Sequence, residues 1–100
     1  MNKKDKDGFT ALWWSTYQGH TEIAKSLLEA GANVNAKAKN GRTALMGAAA
    51  NGDSEIVRAL LSKEAKVNAR DKDGVTALKM ATGQGYAEIV ELLKKAGARE

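Results

Sequence analysis

The chain has no cysteine and no proline, a single histidine and a single phenylalanine. Without cysteine there is neither a disulfide framework nor a thiolate site, so the fold stands on packing alone and is indifferent to redox compartment. No apolar run approaches the roughly 18 residues of a membrane span, and Met1-Asn2-Lys3-Lys4 is a short polar start rather than a targeting segment. Charge of one sign is scarce too, since 16 basic and 12 acidic residues leave only +4. A nucleic-acid surface gathers its basic residues on one face or helix, whereas these are scattered. A mixed, solvated surface accounts for them, and neither a nucleic-acid nor a membrane partner is expected. Two tryptophans, two tyrosines and the phenylalanine are few for a single core in 100 residues that are 43% hydrophobic. A stack of small units, each burying its apolar side on a neighbour, suits that composition better.

Repetition is what the chain does have. GFTALWWSTYQG at residues 8–19 returns as GRTALMGAAANG at 41–52 and as GVTALKMATGQG at 74–85, an offset of 33 residues each time. Glycine, threonine, alanine, leucine and a closing glycine stay constant while the positions between them change. Phe9, Trp13, Trp14 and Tyr17, four of the five aromatic residues, all fall in the first copy. A constant frame with one rewritten face suggests a scaffold carrying a binding surface.

Each unit opens on Asp7-Gly8, Asn40-Gly41 or Asp73-Gly74, dipeptides that tolerate positive φ at a turn tip. Thr10, Thr43 and Thr76 follow, with hydroxyls placed to cap a first helix. That helix runs to about Gln18, Asn51 and Gln84 and ends at Gly19, Gly52 and Gly85. Its buried stripe reads Leu12, Ser15, Thr16; then Leu45, Ala48, Ala49; then Leu78, Ala81, Thr82. Small side chains at this spacing imply close helix approach. A second helix follows, with Glu22, Glu55 or Glu88 in its first turn, where negative charge complements the helix dipole. Its apolar face reads Ile23, Ala24, Leu27, Leu28, and then Ile56, Val57, Leu60, Leu61. The third copy reads Ile89, Val90, Leu93 and Lys94, and the lysine marks a polar outer face on an end unit. Gly31 and Gly97 close their second helices, but Glu64 stands at that point in the middle copy. A positive φ there costs about 1 kcal/mol relative to glycine.

A period of turn, helix and helix over 33 residues resembles the ankyrin repeat. The resemblance covers about residues 5–98 and rests on Asp5-Lys6-Asp7-Gly8-Phe9-Thr10-Ala11-Leu12, on Gly19-His20-Thr21-Glu22-Ile23, and on the run from Leu27 to Ala36 that contains Val34-Asn35-Ala36. It implies an all-α solenoid, one domain over residues 1–100, with repeats at about 5–37, 38–70 and 71–100. Departures are present. The family's proline after threonine is Ala11, Ala44 and Ala77, and its histidine after leucine is Trp13, Met46 and Lys79, so the hydrogen bonds of that histidine are lost. Ala38 replaces the turn aspartate seen as Asp5 and Asp71. Near-identical units without cysteine or proline also resemble a designed or consensus-derived ankyrin protein; a trimmed natural array is the alternative.

No constellation for catalysis is apparent: His20 has no cysteine to activate, and in ankyrin-like sequences a Gly-His at this spot begins the second helix. Asp5-Lys6-Asp7-Gly8 and Asp71-Lys72-Asp73-Gly74 look like the front of an EF-hand loop. The glutamate such a loop needs six residues after its glycine is Trp14 or Met80, which excludes calcium. Phosphate-loop glycines, metal-ligand spacing and a nucleophile elbow are all missing, so no cofactor is expected.

In the ankyrin family the first helix lines the concave side, and partners touch it and the turn tips. Carried onto this sequence, the contact columns are Phe9, Arg42, Val75; Trp14, Gly47, Met80; Tyr17, Ala50, Gly83; and, where the family has histidine, Trp13, Met46, Lys79, with Gln18 at the helix end. Gly47 inside a helix costs about 1 kcal/mol relative to alanine and suggests space left for a partner's side chain. Aromatic and methionine anchors beside such a pit have the composition of a binding hot spot. Lys6, Lys39, Arg42 and Lys72 would form a basic rim. Packing of Trp13 and Tyr17 over the open end of the core is the alternative, and Met46 and Met80 also suit filling gaps. The expected function is non-enzymatic binding of another, folded protein. A partner-free scaffold and self-association through the same apolar strip are the alternatives.

Overall fold

A computed structural model describes residues 3–6 and 8–99. Asp7 of the first turn, Met1 and Asn2 of the polar start, and Glu100 lie outside the described residues. Six helices and no strand are found among the described residues: α1 (Ala11–Tyr17), α2 (Thr21–Glu29), α3 (Ala44–Asn51), α4 (Ser54–Ser62), α5 (Ala77–Gln84) and α6 (Ala87–Lys95). They pair into hairpins that stack in two rows, α1–α3–α5 and α2–α4–α6. The architecture is an all-α repeat solenoid.

The local chemistry explains where each helix starts and stops. Thr10, Thr43 and Thr76 sit in extended backbone and accept from the amides of Trp13, Met46 and Lys79, satisfying donors that a helix start leaves open. Gly52 and Gly85 take the left-handed conformation that ends α3 and α5, with φ of 80° and 75°. The first helix stops one residue early, at Tyr17, with Gln18 as its C-cap. Glu64 does adopt positive φ, at 65°, alone among the described non-glycine residues.

The α1–α3–α5 row approaches closely because its facing side chains are small. Ala48, Ala49 and Ala81 are fully buried, as is Thr16. Ser15 and Thr16 hydroxyls donate back to the carbonyls of Leu12 and Trp13 at 2.9 and 2.8 Å, so their burial strands no donor. Leu12, Leu45 and Leu78 form the spine between the rows, with Ile56, Leu60, Ile89 and Leu93 from the other row. Two expectations fail at the ends of the stack. Thr82 is exposed because no helix packs beyond it, and Ile23 is 55% exposed whereas its counterparts Ile56 and Ile89 are 0% and 1%.

Polar ties run from each repeat to the next. Asn35 Oδ1 accepts from the Lys66 amide at 2.8 Å, and Asn68 Oδ1 accepts from the Arg99 amide at 2.9 Å. Asp53 caps α4 through the Ile56 amide and also accepts from Thr21 Oγ1. Lys25 meets Glu55 at 2.7 Å, and Arg58 meets Glu88. These last pairs are exposed, and each contributes at most about 1 kcal/mol.

Candidate protein-binding surface

The aromatic cluster is built on α1 and the turn before it. Asp5 folds that turn, accepting the Phe9 amide on Oδ1 at 3.0 Å and the Trp14 indole N–H on Oδ2 at 2.9 Å. Asp71 folds the third turn by accepting the Asp73 and Val75 amides on one oxygen, at 2.8 and 2.9 Å, while Arg42 stands 3.7 Å from the other. Burial pushes the Asp71 carboxyl up, but the two amides and the guanidinium outweigh it and hold it below its ordinary value. The middle turn, which has Ala38 instead, survives because Asn40 Oδ1 accepts the Arg42 amide at 3.1 Å. Its geometry is kept by a different side chain two residues along. The Asp5 and Asp71 oxygens that head the calcium-like runs are thus engaged by the Phe9, Asp73 and Val75 amides, the Trp14 indole and Arg42.

Trp13 is the centre of the cluster. Phe9 lies 4.0 Å from it between ring centroids, Tyr17 stacks on it at 4.8 Å and 14°, and Trp14 meets it edge-on at 5.1 Å. Aromatic pairs in these arrangements contribute about 0.5–1.5 kcal/mol beyond the area they bury. The outer members of the group are therefore held in place by the ring at its centre. Trp14 stays 39% exposed and Tyr17 47%, with Phe9 half-buried beside them.

Three expected contact residues are not on the surface. Trp13 is 6% exposed and Met46 1%, because this position in a repeat faces the repeat that follows. Trp13 is held there although its indole N–H has no hydrogen-bond partner among the described residues. Gly47 is buried, because the next position along faces the repeat that precedes. A Cβ on Gly47 would lie 3.0 Å from Thr16 Oγ1 and 3.7 Å from the Trp13 indole nitrogen. The missing side chain therefore lets α1 and α3 touch and leaves no pit for a partner.

The remaining positions divide by exposure. Gln18 and Lys79 are exposed; Arg42, Ala50, Val75 and Met80 are half-buried, with Met80 leaning on the core. Lys6, Lys39 and Lys72, at the turns, are exposed. Sequence reasoning missed the Asp5 bond to Trp14, which an aspartate at the head of the turn does not announce. It also missed a cleft of about 400 Å³ at the far end of the stack, lined by Arg70, Thr76, Lys79 and Thr82 among others. That cleft is the face a further helix pair would cover.

Residues 31–99 match the family described as ankyrin repeats (3 copies), and residues 7–39 match the single ankyrin repeat. A curated protein of Dictyostelium discoideum, an acyl-CoA-binding domain-containing protein 6 homolog, is 53% identical over 34 residues. That match covers 34% of this chain and 12% of the relative's own length, about one repeat period.

Proposed function

Because the chain belongs to the ankyrin repeat family, whose members generally mediate contacts between proteins and are typically non-enzymatic, we propose that it is a non-enzymatic protein-binding module of three repeats whose partner seats on the exposed edge of the aromatic cluster. Trp14, Tyr17 and Phe9 make the apolar centre, Gln18, Ala50, Met80 and Lys79 extend it along the inner row, and the lysines at the turn tips form a basic rim. The observation that carries this reading is the exposure of Trp14 and Tyr17 on rings already locked by Trp13. Large aromatic area presented at little further cost in side-chain entropy is what a binding hot spot requires. The basic rim favours a partner with acidic residues around a protruding apolar element. A one-repeat match transfers no acyl-CoA binding to this chain, and no cofactor enters the proposal.

The test is to select protein binders of the intact chain from a displayed library and titrate them against Trp14→Ala and Tyr17→Ala. Each substitution is expected to weaken binding by at least about 2 kcal/mol, some thirtyfold, while unfolding stays cooperative. Binders indifferent to both variants would remove the patch from the account.

A second reading is a designed or consensus-derived repeat protein without a partner, its aromatics closing the end of the core. Burial of Trp13 favours it for that one residue. Self-association through the patch is the third, and light scattering over a concentration series separates it from both.

A further inference from the structure

The two ends of the stack are chemically different, and the difference follows the columns of the repeat. At the far end, three apolar or small positions that face a following repeat have turned polar, although Val90 and Leu78 keep some apolar surface there. Lys79 stands where Trp13 and Met46 stand, Thr82 where Thr16 and Ala49 do, and Lys94 where Leu28 and Leu61 do. Glu91 replaces the cations Lys25 and Arg58. A repeat placed there would meet two lysines and a threonine where the inner joints present tryptophan or methionine, leucine, and a small buried residue.

The front end has kept the residues of an internal repeat. Ala11 is exposed where Ala44 and Ala77 are 3% and 1% exposed, and Leu27 is half-buried where Leu60 and Leu93 are fully buried. Ile23 is more than half exposed, on the same side. The acidic half of the inter-repeat ion-pair ladder is retained as well. Glu55 and Glu88 each meet a cation of the repeat before them, whereas Glu22 reaches Lys25 of its own helix at 3.9 Å and is 87% exposed.

Side-chain volume adds a condition at Trp14. The equivalent Gly47 faces Thr16 and Tyr17, with no room for a Cβ. Met80, at the same position one repeat later, faces the smaller Ala49 and Ala50 in the same register and packs partly into the core. Large and small alternate across each joint, so a unit stacked on Trp14 must carry small residues at those two places.

We propose that the front face of Ala11, Trp14, Glu22, Ile23 and Leu27 is a docking surface for one more turn–helix–helix repeat, stacked in continuation of the array. That repeat carries glycine or alanine opposite Trp14, aliphatic residues opposite Ile23 and Leu27, and a lysine or arginine opposite Glu22. This surface lies beyond the inner-wall site and shares only Trp14 with it. A second copy of the chain does not meet the specification, since its far end would set Glu91 against Glu22 and two lysines against an apolar face.

The experiment joins residues 38–70 as an extra repeat directly ahead of Asp5, the junction that normally links residue 70 to residue 71. This unit supplies Ala49 and Ala50 opposite Trp14 and Arg58 opposite Glu22. The extended chain is expected to unfold in one transition whose urea m-value is larger by about a third, because buried surface grows with repeat number. Iodide quenching of tryptophan emission is expected to fall as Trp14 is covered. A control joins the same 38–70 unit carrying Ala49→Thr and Ala50→Tyr, which presents a threonine and a tyrosine to Trp14 without adding a tryptophan. It is expected to keep the m-value and quenching of the unextended chain, because an unstacked repeat does not fold alone. Ile23→Lys is expected to uncouple the 38–70 extension while leaving the midpoint of the unextended chain within experimental error. An m-value unchanged by the unsubstituted 38–70 extension, equal coupling by both extensions, or concentration-dependent dimers of the unextended chain would each overturn the proposal. Binders selected on the inner wall test Tyr17 rather than Ile23, so failure of one site leaves the other standing.

Discussion

Gly47 in α3 and Gly83 in α5 lie three positions apart in the repeat frame, nearly one helical turn, and their surroundings oppose each other. Neither has the positive φ that would demand glycine, and each costs its helix about 1 kcal/mol relative to alanine. A Cβ on Gly83 meets nothing within 4 Å, so Gly83→Ala is expected to stabilise the chain by about that amount. A Cβ on Gly47 meets Thr16 Oγ1 at 3.0 Å, and that hydroxyl is tied to the Trp13 carbonyl and cannot swing away. Overpacking costs about 1–3 kcal/mol and exceeds the helix gain, so Gly47→Ala is expected to destabilise. Urea midpoints of the two variants check both signs. A glycine inside a helix is visible in the sequence, but whether it opens a pit or closes a joint depends on residues some thirty positions earlier. That is why Gly47 reads as surface in one dimension and proves to be interior.

Among the elements, the third turn carries a pH dependence. Asp71 is buried, and its carboxyl is held below the ordinary 3.8 by the Val75 and Asp73 amides and by Arg42, against the upward push of burial. In the unfolded chain the carboxyl takes up its proton near the ordinary value, and in the fold only at lower pH. Between those two points the unfolded state binds more protons. The contribution of Asp71 is therefore fully present above that ordinary value and is lost as pH falls through the folded one. Asp71→Asn is expected to destabilise by about 1–3 kcal/mol at pH 7 and to lessen the fall in stability between pH 5 and 2. Urea titrations of both chains across that range measure it; parallel curves would discard the assignment. The turns themselves were legible from Asp-Gly and Asn-Gly, as were the threonine caps and glycine ends, because their chemistry is local. The rescue of the Ala38 turn by Asn40 was not, since it substitutes one acceptor for another at a different position.

For the whole molecule, the period of 33 residues sufficed to establish a helical stack, because equal spacing forces equal residues into columns. Which way each column faces was hidden, and with it the fate of Trp13, Met46 and Trp14: adjacent positions on one helix turn to opposite neighbours. The stack also fixes an order of stability. Only the middle repeat is covered on both sides, so amides of α3 and α4 are expected to exchange most slowly, with α1–α2 and α5–α6 opening first. Slower exchange in α5 or α6 than in α3 would contradict nearest-neighbour stabilisation.

The unequal joining of the two rows has a mechanical consequence. Alanine, glycine and threonine draw α1, α3 and α5 into closer contact than leucine, isoleucine and valine allow α2, α4 and α6. A strip shorter along one edge than the other arches toward the short edge. Pulling the ends of such a strip straight is expected to strain the tightest joints first, those of the α1–α3–α5 row, as flattening a leaf spring loads its inner edge.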